Sequence, residues 1–260
     1  MRFYKYHGTG NDFILIDNRD GHFVPQAELI AQICHRRFGI GADGLITLNN
    51  APGYDFGMRY FNSDGNESTM CGNGGRCIVA FADYLSLVTA KSRFLAADGE
   101  HTGTILSRDG NTCHVRLSMN NVDGYRKFGD DFILNTGSPH LVRFSDDVAN
   151  TDVVNEGRAL RYKADFQPAG INVNFVEERK GYIFVRTYER GVEDETLSCG
   201  TGITASSLAY AALKGSEIGI IPVRTLGGNL SLSFRRKDSG FTEIYLEGPA
   251  VRVYEGSFEV

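Results

Sequence analysis

Two cysteines stand at the head of matching glycine-rich turns. "MCGNGGRC" (70 to 77) sets Cys71 before Gly72, Asn73 and Gly74, and "SCGTGITA" (198 to 205) sets Cys199 before Gly200, Thr201 and Gly202. Each turn runs into a stretch of small and apolar residues, 71 to about 86 and 199 to about 214, and the missing polar face predicts a buried helix. A helix start carries backbone N–H groups without intrahelical partners and the positive end of the helix dipole. That setting suits a carboxylate. It also favours thiolate over thiol, lowering a cysteine pKa that is ordinarily about 8.5. The glycines allow another molecule close to the backbone. The remaining cysteines read as structural thiols, Cys34 and Cys77 within predicted helices and Cys113 within a predicted strand. Cys-Gly-Asn-Gly lacks the paired spacing of a zinc knuckle, and no metal site is expected.

The elements that must carry these turns come in two copies. Cys199 follows Cys71 by 128 positions, and the same offset sets Glu195 on Glu67, Tyr188 on Tyr60 and "RTYE" on "MRYF". "TGSPHLV" (136 to 142) falls on "TGNDFIL" (9 to 15), and "LGGNLSLSFR" (226 to 235) on "ADGEHTGTIL" (97 to 106), at offsets of 127 and 129. Sparse matches that keep their order and nearly one offset indicate two similar halves from a duplication. "FILIDN" and "GLITLNN" predict strands. "PQAELIAQICHRRFG" predicts a helix, with Pro25 in its first turn and Gly39 just past its end. "GTILSRDGNTCHVRLSM" and "LSLSFRRKDSGFTEIYLEG" predict hairpins turning near Asp109-Gly110 and Ser239-Gly240. The expected fold class is α+β: two similar domains, each a curved, mostly antiparallel sheet around a central helix, with the active site in the cleft between them. The expected division is 1–117, with strand 250–260 returning to it, and 118–249.

Bulk properties narrow the function. The chain has 260 residues, 42% hydrophobic and 23% charged, as in a water-soluble globular protein. A net charge of −5 and the lack of a basic block argue against a nucleic-acid partner. No run of eighteen apolar residues suggests a membrane span, and "MRFYKYHGTGND" lacks the apolar core of a signal peptide. Five cysteines without an export signal predict thiols in a reducing cytoplasm.

Two equivalent helix-start thiols, one per half, suit a two-base inversion of an amino-acid α-carbon. One thiolate removes the α-proton, and the opposing thiol supplies a proton to the other face. The helix starts hold the α-carboxylate while negative charge spreads into it, as in an oxyanion hole. Two neighbouring thiols also titrate as a pair, which leaves one thiolate and one thiol at rest. A redox-sensing dithiol is the rival from another class. A phosphate-binding module is less well supported, because neither a P-loop nor a dinucleotide fingerprint is present.

The ordered set "HGTGNDF" (7 to 13), "GADGL" (41 to 45), "FNSDG" (61 to 65), "CGNGGRC" (71 to 77), "GSPH" (137 to 140), "YERG" (188 to 191) and "CGTG" (199 to 202) resembles the diaminopimelate epimerases over essentially the whole chain. The resemblance implies a pyridoxal-independent, metal-free isomerase without cofactor. It would interconvert LL- and meso-diaminopimelate for lysine and peptidoglycan precursor synthesis, act as a homodimer, and be inactivated when its two catalytic cysteines oxidise to a disulfide. Proline racemases and hydroxyproline epimerases share the paired cysteines, but their first motif reads Cys-Gly-His-Gly.

Carried over residue by residue, the resemblance makes Cys71 and Cys199 catalytic and sets His140 and Glu189 to tune them. Asn11, Asn62, Gly72, Asn73, Asn172, Glu189, Arg190, Gly200 and Thr201 become substrate contacts. An Arg190 fork suits the distal carboxylate and Glu189 the distal ammonium. Asn62 occupies the place of Arg190 in the first half, and Asn174 competes with Asn172 for the third asparagine. Ser138 replaces an Asn common in the family and has a shorter reach. Asp43 stands where some members have Gln, and no substrate contact is assigned to it. An epimerase of another amino acid stays open as the nearer rival. It would leave the distal-end residues Asn62, Asn172, Glu189 and Arg190 unpaired.

Overall fold

The computed structural model describes residues 1–259, which fall into two compact units, 1–117 with 248–259, and 118–247. In the first unit β1 (Arg2–Gly8) and β2 (Asn11–Asp17) form a hairpin, helix α1 (Ala27–Cys34) leads to β3 (Gly44–Asn49), and β4 (Phe56–Asn62) and the short β5 (Glu67–Ser68) precede helix α2 (Gly72–Tyr84). Strands β6 (Lys91–Ala96), β7 (Gly99–Asp109) and β8 (Thr112–Ser118) complete the run. In the second unit come β9 (Arg126–Phe128), β10 (Asp131–Asn135), β11 (Pro139–Phe144), helix α3 (Val153–Arg161), β12 (Asn172–Arg179), β13 (Tyr182–Glu189), β14 (Asp194–Thr196), helix α4 (Gly200–Lys214), β15 (Ile218–Thr225), β16 (Gly228–Lys237) and the first part of the long β17 (Gly240–Ser257), whose residues from Gly248 on belong to the first unit.

Pairing follows one plan in both units. β2 runs parallel to β3 and β4 parallel to β6, with every other pairing antiparallel. In the second unit β11 runs parallel to β12 and β13 parallel to β15, again with antiparallel neighbours. Each parallel step needs a crossover, and each is made by a helix at the corresponding place: α1 and α2 in the first unit, α3 and α4 in the second. The duplication is therefore visible in topology. The end of β17 pairs with both β8 and β1 and closes the ring of strands in the first unit. Gly248 and Pro249 already pair with Val115 and His114, so the strand joins the first unit two residues before the predicted position 250. The predicted hairpins form, with Gly110 in the left-handed region in one and the turn at Asp238-Ser239 in the other, one residue earlier than expected.

Burial explains the helix compositions. Every residue of α2 from Gly72 to Ala82 is buried, and α4 is buried along nearly its whole length. α1 and α3 are amphipathic instead. Ile30, Ile33 and Cys34 of α1 pack on Phe3, Ile14, Ile16, Leu45 and Phe61. Val153 and Leu160 of α3 pack on Leu141, Val173, Phe175 and Tyr188. α3, absent from the sequence-based reading, starts at an Asp152 cap that accepts from the Asn155 N–H at 3.2 Å.

Helix α1 is shorter than predicted, ending at Cys34 rather than running to Phe38. The chain folds back and satisfies the helix's last carbonyls: the N–H groups of Ile40 and Gly41 donate to the Ile33 carbonyl, and that of Ala42 to the Cys34 carbonyl. At Gly39 this loop passes so near that a Cβ would overlap the carbonyl oxygens of Gln32 and Ile33. Gly39→Ala is therefore expected to destabilise the protein by about 1–3 kcal/mol in urea unfolding. Gly219→Ala, whose new Cβ would meet nothing nearer than Phe234 at 3.9 Å, should stay within about 0.5 kcal/mol of the parent.

Candidate active site

Cys71 and Cys199 occupy the same local position in their units. Each is the N-cap residue of the central helix in extended backbone conformation, with φ −97° and ψ 128° at Cys71 and φ −116° and ψ 113° at Cys199. The first intrahelical bonds run from the Gly75 N–H to the Cys71 carbonyl at 2.7 Å and from the Ile203 N–H to the Cys199 carbonyl at 2.8 Å. The N–H groups of Gly72, Asn73 and Gly74, and of Gly200, Thr201 and Gly202, lie ahead of those bonds and have no intrahelical acceptor. Neither cysteine side chain caps its helix, and all five cysteines are free thiols.

Around Cys71 the polar side chains form a chain of fixed polarity. Its Sγ donates to Asn11 Oδ1 at 3.6 Å. The same oxygen accepts from Asn73 Nδ2 at 3.2 Å, while Asn11 Nδ2 donates to Asp43 Oδ2 at 2.7 Å. Asn73 Oδ1 in turn accepts from Arg76 Nη2 at 2.8 Å. Arg76 is fully buried inside α2 and also donates to the carbonyls of Gly72 and Pro249 and to Thr9 Oγ1. Burial lowers its pKa to about 10, so it remains a cation at neutral pH. Asp43 is braced by Arg36, whose Nη2 also reaches Asp12 at 2.6 Å, and Lys5 pairs with Asp12 at 2.6 Å. Burial alone would raise the Asp12 pKa, but the bonds from Arg36 and Lys5 outweigh it and bring the carboxyl down to about 2. Asn62, at the end of β4, is exposed, and its side chain makes no hydrogen bond among the described residues.

Around Cys199 the chain is different. Its Sγ lies 3.5 Å from Thr201 Oγ1, which lies 3.0 Å from His140 Nε2. Ser138 Oγ, 2.9 Å from the same nitrogen, also accepts from Asn172 Nδ2 at 3.1 Å. His140 is fully buried; burial first, and then the Arg190 charge, push its pKa down to about 3, and the ring is neutral. Asn172 Oδ1 accepts the Arg190 backbone N–H at 2.8 Å, and so shapes the turn after β13. Arg190 is half-buried, donates to the Ala169 carbonyl at 3.0 Å, and makes no ion pair among the described residues. A partly desolvated guanidinium without a carboxylate is suited to bind an anion. Glu189, the last residue of β13, is partly buried beside it.

The sequence-predicted residues thus gather, within each unit, around a helix start: Asn11, Gly72 and Asn73 around Cys71, and His140, Asn172, Arg190, Gly200 and Thr201 around Cys199. Asn62 and Glu189 lie at the ends of β4 and β13. Three contributors went unassigned. Arg76 stands inside the quoted "CGNGGRC", but a helical Arg ordinarily reads as a solvated side chain. Asp43 is a brace for Asn11, a role its charge allows. Asn174 is fully buried and bonded to His140 Nδ1 at 3.1 Å. Ser138 is no mere shortening of a reach; its hydroxyl joins Asn172, His140 and Thr201. Among the described residues no three His, Cys, Asp or Glu gather as metal ligands, and no helix is long and apolar enough to cross a membrane.

Known proteins are similar to this chain over nearly its whole length. The family model for diaminopimelate epimerase matches residues 3–123 and 132–253. A diaminopimelate epimerase of Flavobacterium psychrophilum is 51% identical over 257 residues, covering 98% of this chain and 99% of the relative. One from Chlorobaculum tepidum is 40% identical, covering 96% and 98%. Among solved structures, a phenazine biosynthesis protein of the PhzF family from Bacillus anthracis superposes with a TM-score of 0.79 at 13% identity, covering 100% of this chain and 99% of that one. A probable proline racemase from Agrobacterium radiobacter gives 0.76 at 17% identity, covering 100% and 93%. These two structures establish the shared fold.

The Asp12 brace has a measurable acid dependence. A carboxyl held at about 2 against an ordinary 3.8 stabilises the fold fully above pH 3.8 and loses that contribution as pH falls towards 2. Asp12→Asn is expected to lower the unfolding temperature at pH 6, with the difference from the parent closing as pH approaches 2. Thermal unfolding across that range checks it, and a pH-independent difference would contradict the linkage.

Proposed function

The chain belongs to the diaminopimelate epimerase family, and from that membership we infer that it interconverts LL- and meso-diaminopimelate by proton transfer between two thiols and one α-carbon. The observation that carries the mechanism is the repeated helix start: two thiols, each at an N-cap beside three N–H groups without intrahelical acceptors. One sulfur, as thiolate, takes the α-proton and leaves the electron pair on the α-carbon and its carboxylate. The other, as thiol, gives a proton to the opposite face. The N–H groups of Gly72, Asn73, Gly74, Gly200, Thr201 and Gly202 supply donors for the carboxylate as its charge grows. Thiols and backbone dipoles supply base, acid and carbanion stabilisation, so this reading calls for no cofactor or metal.

Arg190, without an ion pair among the described residues, is suited to the distal carboxylate, and Asn172 serves it by holding the Arg190 backbone. Asn62, with its amide unspent, and Glu189 complete the distal end in this reading. His140 acts on Cys199 through Thr201. Membership in the family also supports a place in lysine and peptidoglycan precursor synthesis and a homodimer, and five free thiols are in keeping with a reducing cytoplasm.

Proton NMR in D2O with reduced protein and LL-diaminopimelate is expected to show loss of the α-proton signal as the meso isomer appears. Absence of exchange in folded, reduced protein would overturn the reading. Cys71→Ser and Cys199→Ser should each lower kcat by about a hundredfold or more. Full activity in either variant would remove the two-thiol mechanism.

A further inference from the structure

The buried amide behind Cys199 has only one workable orientation. Asn174 Nδ2 donates to the Leu141 carbonyl at 3.0 Å, and Asn174 Oδ1 accepts from Thr187 Oγ1 at 3.0 Å. Turning the amide over would set its oxygen against the Leu141 carbonyl, two acceptors face to face. Its second amide hydrogen therefore points at His140 Nδ1, 3.1 Å away. That nitrogen must accept, and a neutral ring then carries its proton on Nε2. Gly202 of the "CGTG" turn leaves room for this arrangement, because a Cβ there would overlap Asn174 Oδ1.

The consequence passes to the sulfur. Nε2–H donates to Thr201 Oγ1 at 3.0 Å, or to Ser138 Oγ at 2.9 Å, which itself lies 3.4 Å from Thr201 Oγ1. By either route Thr201 Oγ1 receives a hydrogen, and its own is left for Cys199 Sγ at 3.5 Å. The charged group acting on His140 is Arg190; β12 and α4 face it with the neutral Asn172, Asn174 and Thr201. At Cys71 the polarity is reversed, because Asn11 Oδ1 can only accept and Asp43 holds the amide that way round.

We propose that Asn174 is a positioning residue of the reaction: by donating to His140 Nδ1 it fixes the tautomer that turns the Thr201 hydroxyl onto Cys199, presetting Cys199 as the sulfur that takes a proton and Cys71 as the one that gives it. In that direction the substrate Cα–H bond breaks and S–H forms at Cys199, while S–H breaks at Cys71 and Cα–H forms on the other face. The catalytic part of this assignment rests on the epimerase reading above. The tautomer does not.

Nitrogen-15 NMR of histidine-labelled protein reads the ring directly, with His140→Gln identifying the signals. The expected result is an Nε2–H tautomer in the parent. In Asn174→Asp, a carboxylate accepts where the amide donated. The proton should move to Nδ1, the Thr201 hydroxyl should turn to Nε2, and kcat should fall about tenfold or more with KM little changed, the loss expected for one hydrogen bond to a charged group. An Nδ1–H tautomer in the parent, or an Asn174→Asp variant that keeps Nε2–H and full kcat, would overturn the proposal. Should that variant fail to fold, Thr201→Val in a Cys71→Ser background should move the ultraviolet thiolate titration of Cys199 to higher pH, and Thr201→Ser should restore it. An unmoved titration in Thr201→Val would equally overturn it. Parent protein that exchanges no α-proton would remove the epimerase reading and the catalytic role with it, whereas a wrong tautomer removes this proposal alone.

Discussion

A helix whose N-terminal end is buried brings three backbone N–H groups into the interior with no intrahelical acceptor. Everything around Cys71 and Cys199 answers to that constraint. The turns are glycine-rich because the helix start must be approached closely, and the helices behind them are small and apolar because strands enclose them. In α2 that enclosure reaches every residue from Gly72 to Ala82. The dipoles so buried are stronger than they would be in water, since fewer solvent molecules screen them. An anion, whether thiolate or carboxylate, is the natural partner for such a site.

The duplication supplied two such starts, and divergence then gave them different surroundings. At the offset of 127 Phe13 corresponds to His140, and at 128 Ile46 corresponds to Asn174 and Arg76 to Thr204. The glycine that lies against Asn174 in the second unit, Gly202, corresponds to Gly74, whose added Cβ would meet the Ile46 side chain at 2.9 Å. The first unit thus has an apolar floor beneath its helix start and carries its polarity on Arg76, Asn11 and Asp43. The second has a polar floor of His140, Asn174 and Thr187. Backbone topology is shared, while the direction of the hydrogen bonds at the sulfur is not.

Both networks are costly unless complete. A buried polar group left without a partner costs roughly 1–3 kcal/mol, and a buried charge costs more. Arg76 meets this with four oxygen acceptors in place of a carboxylate. Such satisfaction removes alternatives: Asn73, Asn11 and Asn174 each have one amide orientation consistent with their neighbours. The rigidity that results keeps each sulfur beside a group of fixed hydrogen-bonding sense, which is what proton transfer to a carbon acid requires.

Sequence alone determined the features that are local or repeated. The cysteine turns, the buried helices behind them, the hairpins and the two-copy plan follow from spacing and composition, and the ordered motifs carried the family. It could not place α3, whose apolar contacts come from strands distant in the chain, nor end α1 at Cys34, because the carbonyls there are satisfied by a loop that has to fold back first. Arg76 carried no assignment, Asp43 was a departure and Asn174 a competitor for Asn172. Only the tertiary structure decided their roles. Charge and hydrogen-bonding capacity are written in the residue type, but burial and the direction of each bond depend on neighbours that the sequence holds far apart.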